Sequence, residues 1–64
     1  MWTTIYVATD KKQAESIENS LKAEGFLVKV KSVYDSESGS LFEILVLKYE
    51  AEDAQDALME KGII

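Results

Sequence analysis

The chain has 64 residues, neither cysteine nor histidine, and a formal net charge of −5. Its length leaves no room for a second domain, and its composition excludes disulfides, thiol catalysis, and the commonest general base and transition-metal ligand. Every basic residue is a lysine, and the acidic balance argues against a nucleic-acid surface, where clustered Lys and Arg displace counterions from phosphates.

Trp2–Ala8 (WTTIYVA) is aromatic and β-branched and reads as a first strand, with Ile5 and Val7 on one face and Trp2, Thr4 and Tyr6 on the other. Thr9-Asp10 offers a helix N-cap, with Gln13 placed as in a capping box, and Ala14, Ile17 and Leu21 recur at helical spacing. Gly25 ends that helix. Phe26–Tyr34 (FLVKVKSVY) alternates again, Val28 and Val30 against Lys29 and Lys31, as a second strand. The stretch Asp35–Ser40 (DSESGS) has no apolar residue and reads as the turn of a β-hairpin. Leu41–Leu47 (LFEILVL), broken only by Glu43, fits a central strand paired on both sides. From Glu50 to Lys61 helix formers dominate, with Ala54, Ala57 and Leu58 on one face and Gly62 as a stop. Ile63 and Ile64 are too few for a full strand.

The order β-α-β-β-α has one economical packing. A right-handed crossover leaves a gap between strands one and two, and the hairpin's second strand fills it. The expected fold is α+β: an antiparallel three-stranded sheet of order 1-3-2 with both helices on one face, most of a ferredoxin-like sandwich without its last strand. Residues 1–64 then form a single domain. The helices would meet Ile5, Val7, Val28, Val30, Ile44 and Val46. The opposite face would carry Trp2, Thr4, Tyr6, Glu43, Leu45 and Leu47 beside Lys29 and Lys31. A monomeric domain seldom leaves such an apolar cluster in water, so these eight residues are the candidate interaction surface. A one-residue slip at a bulge would redistribute them. Glu43 is expected to pair with Lys29 or Lys31 of the adjacent strand.

The other candidate chemistry has local explanations. Glu50, Glu52, Asp53 and Asp56 lack the order of a calcium loop and suit the positive end of a helix dipole. Asp35 and Glu37, among serines, have the composition of any polar turn. Lys11 and Lys12 at a helix N-terminus could receive an anion, but Asp10 satisfies the same donors as a cap. No serine or threonine has a histidine to activate it, so no catalytic residue, cofactor or metal ligand is expected.

The opening MWTTIYVA, the segment AESIENSLKAEGFLVKV, and FEILV followed by an acidic, alanine-rich helix resemble a small bacterial family described as prokaryotic signal-transducing proteins. The resemblance covers nearly the entire chain. It implies a fold related to the P-II nitrogen-regulatory proteins and a regulatory role, and it carries no catalytic or ligand-binding residue onto this sequence. The long loop and second βαβ half that build the P-II nucleotide site have no counterpart here, so ATP binding is not expected.

No apolar run reaches the roughly 18 residues of a spanning helix, and MWTTIYVATD has no basic segment leading an apolar stretch. A cytoplasmic location is expected, with no membrane partner. A domain this small buries only about 60% of its unfolded surface, so a subunit interface is a ready source of added stability. The expectation is a non-enzymatic regulatory or protein-interaction module that self-associates, as a dimer, through its sheet. The alternative is a sensor holding a small metabolite at the subunit interface.

Overall fold

The computed structural model describes the whole chain, Met1–Ile64. Its elements follow the order β1 (Trp2–Ala8), α1 (Lys11–Ala23), β2 (Val28–Asp35), β3 (Gly39–Leu47), a 3-10 turn (Lys48–Glu50) and α2 (Ala51–Glu60). The sheet is antiparallel, with strand order β1-β3-β2. The expected α+β architecture is the observed one. No helix is long and apolar enough to cross a membrane.

Helical spacing places Ala14, Ile17 and Leu21 on one side of α1, and Ala54 and Leu58 on one side of α2. These five close with Ile44 and Val46 of β3 and Ala8 of β1 into a core whose members are each at most 2% exposed. Alternation along β3 thus turns Phe42, Ile44 and Val46 toward the helices and leaves Leu41, Glu43, Leu45 and Leu47 on the open face.

Both helices end in the same way. Gly25 and Gly62 adopt φ of 94° and 75°, a region that a Cβ disfavours. In α1 the Phe26 N–H donates to Leu21 O and the Gly25 N–H to Lys22 O; in α2 the Ile63 N–H donates to Leu58 O and the Gly62 N–H to Met59 O. These are paired Schellman closures, and the apolar residue after each glycine packs back on the core. The motif accounts for one difference from the sequence reading and settles the place of the C-terminal residues. Phe26 and Leu27 precede β2 instead of opening it, and Ile63 serves as a helix closure, outside the sheet. The two C-caps are tied by Lys61 Nζ to Glu24 Oε2 at 3.4 Å.

At its N-terminus α1 is capped by Asp10, whose carboxylate accepts the Lys12 N–H at 3.2 Å. Gln13 does not complete a capping box. Its amide donates to the Tyr6 hydroxyl at 3.2 Å, because Tyr6 lies under α1.

That position of Tyr6 is the main correction to strict alternation. Thr4 pairs with Leu45 and Tyr6 with Ile44, so β1 advances two residues while β3 advances one. Ile5 is the extra residue of a β-bulge, and beyond it every side chain of β1 changes face. Tyr6 leaves the open face and packs against the core; Val7, expected in the core, stands on the open face and is 47% exposed. Ile5 still packs against the core as a partly buried side chain. Val30 does face the helix side, opposite Ile44, but it is 37% exposed because α1 does not cover the outer half of β2.

Candidate interaction surface

The open face is built from alternate residues of the strands. β3 contributes Leu41, Glu43, Leu45 and Leu47 along its middle. β1 contributes Trp2 and Thr4 before the bulge, opposite Leu47 and Leu45, and Val7 after it, opposite Glu43. β2 contributes Lys29, Lys31 and Val33, opposite Leu45, Glu43 and Leu41. Seven of the eight expected residues are therefore assembled on one face, and Tyr6 is not. Val7, Leu41 and Val33 complete it; Leu41 and Val33 were readable by alternation, whereas Val7 required knowledge of the bulge.

Two side-chain contacts organise this surface. Lys29 Nζ lies 4.4 Å from the centroid of the Trp2 ring. Their backbones are separated by the whole of β3, about 10 Å between outer strands, so the two side chains together span the sheet at the level of Leu45 and Leu47. The cation–π contact contributes about 0.5–1 kcal/mol at such a site, and the lysine stem shields the leucines beneath. Accordingly Trp2, Leu45 and Leu47 are half-buried even in the single chain.

Glu43 accepts a hydrogen bond from Thr4 Oγ1 at 2.9 Å. The expected ion pair with Lys29 or Lys31 is absent, since the lysines make no salt bridge with it. The Lys29 ammonium is held over Trp2, and an exposed lysine such as Lys31 gains little by immobilising its long stem beside a carboxylate in water. Glu43 is thus anchored toward β1, leaving Lys31 unpaired at the β2 margin.

On the helix side, a cleft of about 240 Å³ opens between α1 and β2. Ala14, Val30 and Phe42 form its apolar lining, and Lys11, Glu15 and Glu18 stand at its rim with Ser32. Glu18 is engaged with Lys22 at 2.9 Å, whereas Glu15 and Lys11 have no ionic partner. In the sequence the one signal for this cleft is the pair Glu15 and Glu18, one helical turn apart and close to the buried stripe of α1.

Three of the remaining candidates, Glu52, Asp53 and Asp35, have structural roles. No group of three or more acidic side chains stands close enough to hold a metal ion. Glu52 and Asp53 occupy the first turn of α2, where the helix dipole favours them. Asp35 Oδ1 accepts the Glu37 N–H at 2.8 Å and the Ser38 N–H at 3.1 Å, closing the hairpin turn. These two donors hold its pKa below the ordinary 3.8. A carboxylate with a lowered folded pKa contributes stability that is present above the unfolded value and lost as pH falls through the folded one. Urea titrations should therefore show wild type more stable than Asp35→Asn at neutral pH, with the gap closing on acidification below about pH 4. A gap independent of pH would show that the turn does not favour the charged form.

No protein-family model, curated protein or solved structure matches the chain.

Proposed function

We propose that this chain is a small non-enzymatic interaction module, of the regulatory kind its sequence resemblance implies, that self-associates through its sheet. The observation that carries the reading is the outer edge of β1. β1 pairs only with β3, and its seven residues WTTIYVA include no charge and no proline. Soluble proteins ordinarily guard such an edge with lysine, proline or a covering segment, because its unpaired N–H and C=O groups are a template for another strand. The segment that could have covered it, Ile63-Ile64, is drawn into the closure of α2 instead. A bulge at Ile5 limits pairing but leaves the strand uncharged.

Pairing β1 with β1 of a second copy would give a continuous six-stranded sheet and bring two sets of Trp2, Thr4 and Val7 together on one face. The apolar residues of the open face would extend that contact. The cleft lies along β2, on the opposite edge, which favours this reading over a metabolite held between subunits at β1.

Light scattering from micromolar to millimolar protein should give a dimer mass. Trp2→Glu and Val7→Lys, both on the open face of β1, should each return it to the monomer. Val7 is exposed, so Val7→Lys should leave the thermal transition of the monomer nearly unchanged. A monomer at every concentration would overturn the reading.

A further inference from the structure

The other edge of the sheet is open as well. β2 also pairs on one side only, with β3, and its outer edge runs beside the cleft under α1. We propose that this edge and cleft together bind an extended peptide segment of a partner protein, added to the sheet as a fourth strand, with an apolar, an acidic and a basic residue in succession.

The geometry carries each part of that description. Of the two lysines that could guard this eight-residue edge, Lys29 is drawn over Trp2, and the row of backbone donors and acceptors is one that another extended backbone satisfies and a compact small molecule does not. In a strand laid along β2, alternate side chains fall on the helix side and the others on the open face. On the helix side, one of them meets the cleft formed by Ala14, Val30 and Phe42, which takes an apolar group. Its neighbour two positions on, about 7 Å away, reaches the rim, where Glu15 and Glu18 outnumber Lys11 and the net negative charge favours a cation. The residue between them points to the open face beside Lys31, which is unpaired and favours an acid. The charges on the two sides of β2 are thus of opposite sign, and they fix which face of the incoming strand carries which charge. The inference uses the edge opposite β1 and is independent of self-association.

The test is a pair of peptides of identical composition and zero net charge. The first is acetyl-Ser-Ser-Leu-Glu-Lys-Ser-Ser-amide, and the second exchanges its glutamate and lysine. Titrated into the 15N-labelled full chain, the first should shift the amide resonances of Val30–Ser32 and Ala14–Glu18, with the second binding about tenfold more weakly. The double variant Glu15→Lys with Lys31→Glu, made at exposed positions that leave the core untouched, should reverse the preference. Equal binding of the two peptides, shifts confined to β1, or an unchanged preference in the double variant would each overturn the proposal. So would groove resonances that move with protein concentration alone, since a second copy would then be the occupant. Failure here leaves the light-scattering result for β1 unaffected.

Discussion

Tyr6→Asp should destabilise the chain by about 3 kcal/mol or more, whereas Val7→Asp, one residue along, should cost at most about 1 kcal/mol. Tyr6 packs against the core beneath α1 and bonds Gln13 through its hydroxyl, so aspartate there loses the ring's packing and places a carboxylate against apolar neighbours. Val7 is 47% exposed on the open face, where a carboxylate remains in water. A domain of this length has a total stability of roughly 3–10 kcal/mol, so the first substitution removes a large part of it. Urea denaturation at low protein concentration, below any dimer, measures both. Strict alternation without the bulge predicts the opposite ranking. A larger loss at Val7 than at Tyr6 would therefore show that Ile5 is not the extra residue.

Ile44→Ala should cost about 2–5 kcal/mol and leave the chain largely unfolded at physiological temperature. Ile44 is fully buried at the middle of the central strand, flanked by Tyr6 and Val30 across the ladders and covered by both helices. Removing its outer carbons leaves a cavity that a core of eight small and branched residues has few means of filling. The informative companion is Leu45→Ala. Leu45 points to the open face and is only half-buried in the single chain, so its truncation should cost less than half as much in dilute solution. If two copies meet through the sheet, that cost should rise with protein concentration, because the variant then loses interface as well as intrachain packing. A Leu45→Ala cost that is constant across the range in which the mass changes would separate self-association from the open face and leave the β1 edge as its sole basis.

These contrasts concern the part of the molecule where the sheet is uncovered. The helices cover one face over its centre, as the fully buried Ile44, Val46, Leu21 and Leu58 show, and leave the outer half of β2 bare. The other face is screened only by its own side chains, with Lys29 drawn over Trp2. Both strand edges are open, and they differ in chemistry. β1 is uncharged, as the proposed pairing with a second copy requires; β2 is flanked by Glu15 on one side and Lys31 on the other, as the proposed charged, extended partner requires. A small domain with two unlike edges can join identical copies through one and present a recognition groove on the other.

The amino-acid sequence by itself determined what depends on neighbouring residues. The 3.6-residue spacing of Ala14, Ile17 and Leu21 and the glycine stops at 25 and 62 specify helices and their ends. The two alternating runs around DSESGS specify a hairpin, and the order of elements with the crossover rule specifies the sheet order. For the candidate surface, alternation was sufficient wherever a strand runs without interruption, which is why Lys29, Lys31, Glu43, Leu45 and Leu47 are placed correctly. Only the tertiary structure decided the rest. The bulge at Ile5 arises from the register of β1 against β3, some forty residues away, and no local period reports it; from that single residue follow the exchanged places of Tyr6 and Val7 and the use of Gln13. The partners of Glu43 and Lys29 were likewise set by what lies across the sheet, where Glu43 bonds Thr4 and Lys29 lies over the Trp2 ring in place of the expected ion pair. The cleft exists because α1, fixed over β3 by its buried stripe, stops short of the outer half of β2. That is a matter of how far one element reaches over another, which side-chain spacing along either element does not encode.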